Sequence, residues 1–391
     1  MRPAFAGLAA LLLCALALRP QLVGVAPLIP RIDDDLGVSH AVAGLLGTIP
    51  VLCMGLFAIP ARYVPAYAST RTAIGACVAA IAGFGLLRAV APGMPLVLAL
   101  TVPIGIGMGL AGALLPVLVK ESFAHRPAFA TGVYTTGIQI GAVASTAAAV
   151  PLAVAGGWRL ALGVFSLSAV LVTVVWFALA PGRGQRAPAV EAPPLPVRSP
   201  VVWALVGVFA LVSVTYYGVV AWLPDAYRER GWSEGEAAAL LVGFSIVQIP
   251  TGLAVGWLSD RRGSRRPFLV GAGALQVVGT AGFAGLPAAG WLWAVLAGVG
   301  AGALFALILT LPLDVAHAPE MVGAVAGVML GAGYVISAGA PVLLGAVRDA
   351  TESFEASLWL LAATSAVLLA ACARLRPAVV ATNDHRLSSS R

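Results

Sequence analysis

GVAPLIPRIDDDLGVS (residues 24–39) and GVVAWLPDAYRERGWS (residues 218–233) are two similar stretches separated by a constant offset of 194 residues. The identical positions in this register include Gly24 and Gly218, Pro30 and Pro224, Gly37 and Gly231, and Ser39 and Ser233. A repeat at a fixed offset, running in the same direction, indicates one structural unit used twice. The sequence therefore predicts two parallel halves.

The composition excludes a soluble globular protein. Of the 391 residues, 60% are hydrophobic and only 10% are charged, which leaves too few polar side chains to cover a water-exposed surface. The 45 glycines favour closely packed membrane helices, whereas a membrane barrel would show short strands of alternating hydrophobicity. The class expected is an all-α polytopic membrane protein with the lipid bilayer as a partner.

Twelve apolar stretches are each long enough to cross a bilayer, which takes about 20 residues. The predicted spans are 4–29, 41–63, 72–91, 95–119, 128–154, 158–180, 201–224, 236–258, 267–287, 290–313, 322–347 and 354–374. A stretch rich in proline and arginine separates the sixth span from the seventh. The predicted organisation is an N-terminal six-helix half (1–180), a cytoplasmic linker (181–200), a C-terminal six-helix half (201–376) and a cytoplasmic tail (377–391).

The net charge of +7 comes from arginine and lysine residues whose distribution indicates membrane orientation rather than nucleic-acid binding. Of the 23 lysine and arginine residues, 16 fall in segments on one side if both termini share that side. By the positive-inside rule, both termini are predicted to be cytoplasmic, in the inner membrane of a bacterium. The four cysteines form no CxxC pair and the four histidines are scattered, so we expect neither a metal site nor a cofactor, and we assign the histidines no chemistry.

Arg19 is the only formal charge that we place in a bilayer interior. An unpaired charge at that depth costs at least about 2.5–3.5 kcal/mol, so such residues usually face a polar cavity. Pro20 removes a backbone hydrogen bond to the Leu16 carbonyl and predicts a helix break at the cation. In the repeat register Arg19 aligns with Ser213, so a site built on it is asymmetric. The alternative is a kinked helix in which Arg19 snorkels or bonds the freed carbonyls.

A basic motif lies between the eighth and ninth spans. It reads G-W-L-S-D-R-R-G-S-R-R over residues 256–266, and its characteristic members are Gly256, Asp260, Arg261, Gly263, Arg265 and Arg266. This motif resembles the loop motif of the major facilitator superfamily. The resemblance implies a cytoplasmic gate that latches the inward face closed. The alternative is a basic turn needed only for topology. The corresponding first-half loop has Ala66 in place of Asp260.

A more specific resemblance covers most of the first half. The stretches LRPQLVGVAPLIPRIDDDLGVS (18–39), ALLPVLVKESF (113–123) and GVYTTGIQIGA (132–142) are similar to those of the cyanate and 2-nitroimidazole transporter family within that superfamily. Membership implies the fold of 12 helices in two halves and the movement of small anions or small polar aromatic acids.

The superfamily resemblance also implies which spans surround the substrate. Spans one, four, seven and ten line the cavity, and spans two, five, eight and eleven flank it. Mid-depth polar residues on these spans become candidate substrate contacts beside Arg19: Gln139, Tyr216, Gln248 and Tyr334. Each is nearly as well explained as a hydrogen bond between helices, worth about 0.6 kcal/mol on average.

We therefore expect a transporter, acting as a monomer, that holds a small anion at Arg19 and works by alternating access. A guanidinium can hold an oxyanion with two parallel hydrogen bonds. Whether a proton is cotransported stays open, because we find no carboxylate at mid-depth that could relay it. The alternatives are a drug or metabolite exporter of the same superfamily and a non-transporting membrane sensor or receptor. An enzyme is disfavoured because no nucleophile, base and metal set converges at one depth.

Overall fold

The computed structural model describes residues 2–123, 127–180, 195–262, 265–315 and 319–375, and within these ranges it contains helices and no strand. Most of the predicted linker and the predicted tail lie outside them. The helices are α1 (Arg2–Ala17), α2 (Ile29–Leu36), α3 (His40–Ala58), α4 (Val64–Tyr67), α5 (Thr70–Ala89), α6 (Met94–Ser122), α7 (Pro127–Leu179), α8 (Pro200–Glu229), α9 (Glu234–Ile246), α10 (Gln248–Arg262), α11 (Arg266–Gly285), α12 (Gly290–Val315), α13 (Pro319–Ser337), α14 (Ala340–Thr351) and α15 (Glu355–Arg374). Short 3₁₀ turns occupy Val23–Leu28, Pro60–Tyr63 and Pro287–Ala289.

The described helices account for twelve membrane crossings. Ten helical stretches are long and apolar enough to span a bilayer. One of them, Gly132–Leu179, is interrupted at Gly156–Gly157, where the φ of Gly157 is +78°, and therefore supplies two crossings. The first crossing is broken and begins with the shorter apolar helix Phe5–Ala17. The predicted all-α fold with twelve crossings is confirmed.

The repeated glycine and serine have the same structural role in both halves. Gly37 ends α2 and Gly231 follows the end of α8, and both adopt a positive φ, +60° and +88°. Ser39 and Ser233 then cap the next helix by accepting a hydrogen bond from a backbone N–H in its first turn. Glycine takes a positive φ without steric cost, and serine satisfies an otherwise unpaired donor. The repeat therefore encodes the same turn between two consecutive helices in each half.

Span one is broken at Arg19, as Pro20 predicts. After α1 ends at Ala17, the backbone N–H groups of Leu22 and Val23 both bond the Arg19 carbonyl at 3.0 Å, and the chain continues as a 3₁₀ turn. Gly141 of α7 lies against the Leu16 carbonyl that Pro20 leaves without its helical donor. A Cβ at Gly141 would lie 2.2 Å from that oxygen. The break is therefore packed tightly against span five.

Arg88 supports the break from the other side and corrects one expectation. Arg19 was the only charge that we placed in a bilayer interior, yet the Arg88 side chain, in the last turn of α5, is fully buried. Its guanidinium donates to the Gln21 side-chain oxygen at 2.5 Å and to the Gln21 backbone carbonyl and the Thr101 hydroxyl at 3.1 Å. Arg88 therefore occupies carbonyl and amide oxygens that the broken helix exposes.

The two halves touch along spans two and eleven. A Cβ at Gly44 would lie 2.7 Å from the Pro341 carbonyl, and a Cβ at Gly55 would lie 2.7 Å from the Gly331 carbonyl. Small residues thus let α3 approach α13 and α14 closely. Span seven (α8) is the most enclosed of the apolar crossings, with 72% of its apolar window buried. It brings its side chains to the centre of the bundle.

Substitution of Gly141 by alanine should lower the stability of the purified protein. The added methyl group would overlap the Leu16 carbonyl, and such overpacking typically costs about 1–3 kcal/mol. Thermal or denaturant unfolding in detergent measures the effect. Gly163→Ala is the matched control, because nothing lies within 4 Å of a Cβ at that helical glycine. Equal stability of the two variants would contradict the tight contact at the break.

Arg88→Lys should also destabilise the fold. A single ammonium cannot reach all three acceptors that the guanidinium reaches, and a buried acceptor left unpaired costs about 1–3 kcal/mol. Arg159→Lys serves as the control because its ion pair with Asp35 is exposed and screened by solvent. The same unfolding assay applies, and a loss in Arg159→Lys as large as that in Arg88→Lys would refute the structural role of Arg88.

Candidate functional site

Arg19 lies between the two halves, where it meets three tyrosines of the second half. Its guanidinium donates to the Tyr217 hydroxyl at 3.3 Å. Tyr216 and Tyr334 are close enough to interact electrostatically with the same guanidinium. The helix break places the cation, while α8 and α13 bring the phenols to it. The site therefore forms only when the two halves are together.

The tyrosines form a packed aromatic group. The ring centres of Tyr216 and Tyr217 are 5.2 Å apart, and those of Tyr217 and Tyr334 are 6.3 Å apart, both edge to face. Phe209 supports Tyr334 from behind at 5.0 Å. Edge-to-face packing fixes ring orientation at a favourable energy. The hydroxyl groups are thus held in place around the guanidinium.

Among the described residues, Arg19 has no carboxylate partner in hydrogen-bonding or ion-pair contact. Its hydrogen bond goes to a neutral phenol. An uncompensated, partly buried cation attracts an anion, and a phenol O–H can donate to the same anion. A pocket between the halves, lined by Leu22, Tyr217 and Pro341 among others, adjoins the site. The arrangement therefore offers an anion two kinds of donor, a guanidinium and a phenol O–H.

The predicted contacts fall into two groups. Tyr216 and Tyr334 are brought to Arg19, whereas the Gln248 side chain donates to the Phe244 carbonyl of the preceding turn at 3.0 Å and is buried. Gln139 is half-buried on α7, between the two glycines that pack against span one, Gly137 and Gly141.

Tyr217 is the site residue that the sequence analysis missed. In the repeat register Arg19 corresponds to Ser213, and Tyr217 lies four residues further along the same helix. Residues four apart share a helix face. The repeat alignment therefore contained a signal for Tyr217 that was not used.

The described part of the predicted gate motif contacts its own half. Arg265 pairs with Asp314 at 2.7 Å, and Arg266 donates to the Ala373 carbonyl at 2.8 Å. Arg261 lies 3.8 Å over the ring of Trp257, one turn from the end of α10. Gly263 and the side chain of Asp260 lie outside the described residues, and Gly256 has open space around it. The latch stays a prediction.

A charged cluster joins the halves at the end of the bundle that we call the linker-distal face, formed by residues 31–40, 225–234 and 348–354. Arg31 bonds Glu234 through two hydrogen bonds of 2.5 Å. His40 lies between carboxylates, with Nδ1 at 2.9 Å from Asp349 and Nε2 at 3.4 Å from Asp225. The sequence analysis assigned the histidines no chemistry, but the structure gives His40 carboxylate neighbours. These contacts could not be read from the sequence, because Asp225 and Asp349 are far from His40 along the chain.

The two cross-half pairs occupy equivalent positions of the repeat. The offset of 194 residues places Arg31 on Asp225 and His40 on Glu234. Arg31 of the first half pairs with Glu234 of the second, and Asp225 of the second half pairs with His40 of the first. We call each of these cross-half pairs a joint. The two joints are equivalent in the repeat, but in both of them the first half supplies the basic residue and the second half the acidic one, so the charge signs at equivalent positions are opposite.

Asp33 lies beside His40 in an unusual electrostatic setting. Burial raises the pKa of its carboxyl to about 7, with His40 opposing the shift and Asp225 adding to it. Both carboxylate oxygens are buried and without a hydrogen-bond partner. His40 Nε2, at 4.0 Å, is the nearest cationic group in ion-pair contact among the described residues.

Comparison with known proteins agrees with this architecture. The Major Facilitator Superfamily model matches residues 8–341 and 224–389. The cyanate transport protein CynX of Escherichia coli (strain K12) is 31% identical over 350 residues, 88% of this chain and 90% of that protein. The 2-nitroimidazole transporter of the same organism is 28% identical, covering 90% of each chain.

Solved structures share the fold at low sequence identity. A D-xylose-proton symporter superimposes with a TM-score of 0.73 at 15% identity, covering 95% of this chain and 98% of that one. A bacterial homologue of the human lysosomal transporter Spinster gives a TM-score of 0.71 at 19% identity, covering 97% and 94%. With the family match over most of the chain, the conclusion is direct: this multi-pass membrane protein belongs to the Major Facilitator Superfamily and is a transporter rather than an enzyme.

Proposed function

We propose that this chain transports a small organic or inorganic anion by alternating access, with Arg19 as the anchor for the substrate. The substrate class is cyanate-like, nitroimidazole-acid-like or a small carboxylate. The observation that carries the proposal is the guanidinium between the halves, which donates to a neutral phenol and has no carboxylate in contact among the described residues. A bound anion would supply the missing negative charge.

The chemistry of the site suits a planar anion. The guanidinium offers two parallel donors, and Tyr216, Tyr217 and Tyr334 surround it with rings and hydroxyl groups. The rings exclude water, which strengthens each hydrogen bond to the charge. Cyanate and small aromatic acids combine negative charge with a flat shape. The two Escherichia coli relatives, a cyanate transport protein and a 2-nitroimidazole transporter, fit the same class.

The setting follows from the charge distribution. We place the protein in the bacterial inner membrane with both termini cytoplasmic, since most arginine residues lie in the segments on that side. We further propose that Asp260 and its neighbouring arginines help to close the cytoplasmic face and that the chain acts as a monomer. Gln139 and Gln248 stand as outer contacts that depend on helix movement, because neither is among the groups contacting Arg19 here. Whether a proton accompanies the substrate is decided by uptake at two pH values.

Arg19→Ala should abolish uptake of the anion into proteoliposomes, because the site loses the one charge that the described residues bring to it. Arg19→Lys should keep some transport but raise KM about tenfold to a hundredfold, since an ammonium forfeits one charge-assisted hydrogen bond worth about 1.5–3 kcal/mol. Uptake of labelled cyanate, nitrate, small carboxylates and nitroimidazole acids should be measured in parallel. Arg159→Ala, an exposed arginine, is the control and should transport normally. Normal transport by Arg19→Ala would disprove the anchor.

Tyr217→Phe should weaken the apparent affinity for the anion about twofold to tenfold, the worth of one neutral hydrogen bond of about 0.5–1.5 kcal/mol. The phenyl ring preserves packing, so the maximal rate should change less than KM. Tyr67→Phe, at an exposed position, provides the control. A lower KM in Tyr217→Phe would mean that the hydroxyl competes with the substrate for Arg19, and that result would contradict a substrate contact.

A further inference from the structure

We infer that Asp33, His40 and Asp225 form a binding site for a divalent transition-metal ion of the Zn²⁺ type at the linker-distal face. Asp33 and His40 belong to the first half and Asp225 to the second. An ion held by all three would join the halves. No step of the proposed transport at Arg19 uses these residues.

The distances suit a small tetrahedral ion. The Nε2 atom of His40 lies 3.4 Å from the Asp225 carboxylate and 4.0 Å from the Asp33 carboxylate, and the three ligand atoms are within 4.8 Å of one another. Zinc bonds to histidine nitrogen and carboxylate oxygen at about 2.0–2.2 Å, which separates neighbouring ligand atoms by about 3.3–3.6 Å. The observed separations start at that value, and a bound ion would draw Asp33 inward.

His40 is oriented as a metal-ligating histidine. Its Nδ1 atom lies 2.9 Å from an oxygen of Asp349, and the other oxygen of Asp349 accepts from the Ala41 backbone N–H at 2.9 Å. A carboxylate that accepts from one ring nitrogen leaves the lone pair of the other nitrogen free and fixes the ring direction. In this tautomer Nε2 directs its lone pair toward two carboxylates. A cation bound at Nε2 would compensate both carboxylates.

A metal ion satisfies this cluster better than a proton does. A proton on Nε2 can bond Asp225 and a second proton can neutralise Asp33, but Asp33 lies 4.0 Å from Nε2 and has no hydrogen-bond partner in this geometry. The Asp33 side chain is only 10% exposed, and both of its oxygens lack a partner. Burial without a partner is costly for a carboxylate. One divalent ion would pair with Asp33, His40 and Asp225 together.

The nearby arginines do not replace the ion. Arg228 lies 3.6 Å from the other oxygen of Asp225, and Arg348 lies 3.5 Å from Glu229. Neither forms an ion pair with Asp33 among the described residues. The three ligands border an open cleft of about 480 Å³, whose lining holds four carboxylates against two arginines. The cleft therefore favours cations and leaves room for water as a fourth ligand.

Metal binding would hold the linker-distal face closed. A transporter that must separate its halves at this face would be inhibited by micromolar zinc from that side. This consequence rests on the proposed alternating access, whereas the binding itself does not. The two can therefore be tested apart.

The direct test is zinc binding to the purified full-length chain, from which any affinity tag has been removed. Isothermal titration calorimetry in detergent measures it. We expect one zinc ion per chain. His40→Ala and the isosteric Asp33→Asn should abolish this site, and Asp349→Asn should weaken it about tenfold to a hundredfold, as is typical for a residue that orients a ligand. Asp34→Asn, an exposed carboxylate in the same cleft, is the matched control and should bind zinc like the parent protein.

The outcomes separate the proposals. Absence of stoichiometric zinc binding in the parent, or unchanged binding in folded His40→Ala and Asp33→Asn, overturns the metal site. Size-exclusion and melting profiles establish that these variants are folded. Arg19→Ala should still bind zinc even though it does not transport, so failure of the anion proposal leaves this test intact. In proteoliposomes, zinc should inhibit the parent and Asp34→Asn but spare Asp33→Asn, and equal inhibition of all three would count against the site.

Discussion

The structure depends on one constraint: inside a bilayer every backbone polar group must find a partner within the protein. Pro20 breaks the first span where no water from the lipid can compensate, so the surrounding helices must do so. Gly141 lets span five close over the Leu16 carbonyl, and Arg88 occupies the exposed oxygens of Gln21. Arg19 can project between the halves only because these contacts stabilise the irregular backbone. Arg88 and Arg19 thus bring two guanidinium groups with different roles to the break, one structural and one facing the second half.

Much of this fold was predictable from local sequence, and the reasons are physical. Bilayer thickness sets the length of a span, so hydropathy alone located the crossings, and the Pro20 break followed from a missing backbone donor. The repeated glycine and serine predicted two equivalent turns, since a positive φ and a helix cap are local properties. The interruptions near Val247 and Ala338–Gly339 have the same local cause, since Pro250 and Pro341 remove the backbone donors to the carbonyls of Ile246 and Ser337. The sequence analysis did not use these two prolines.

The site was predictable only in part. Arg19 stood out because a charge is expensive in lipid, and Tyr216 and Tyr334 were found by their depth on spans near the centre. Arg88 was missed because it falls near the end of the third predicted span, whereas its contacts with Gln21 and Thr101 bury it. His40 was overlooked because its carboxylate partners lie about two and three hundred residues away, and only the meeting of the halves brings them together.

The exchange of charge signs between the two cross-half joints has a consequence for how the linker-distal face can respond to its surroundings. Any separation of the halves there must break both the Arg31–Glu234 pair and the contacts of His40 with Asp225 and Asp349. The first joint contributes a nearly constant resistance to opening, because a guanidinium and a carboxylate stay charged over the physiological range. The second joint is built on an imidazole, whose charge and ligands change with the medium. The halves thus meet at symmetric places through one joint whose charges are fixed and one whose imidazole can gain or lose a proton or a ligand, so the solution at the linker-distal face can act on one joint without altering the other.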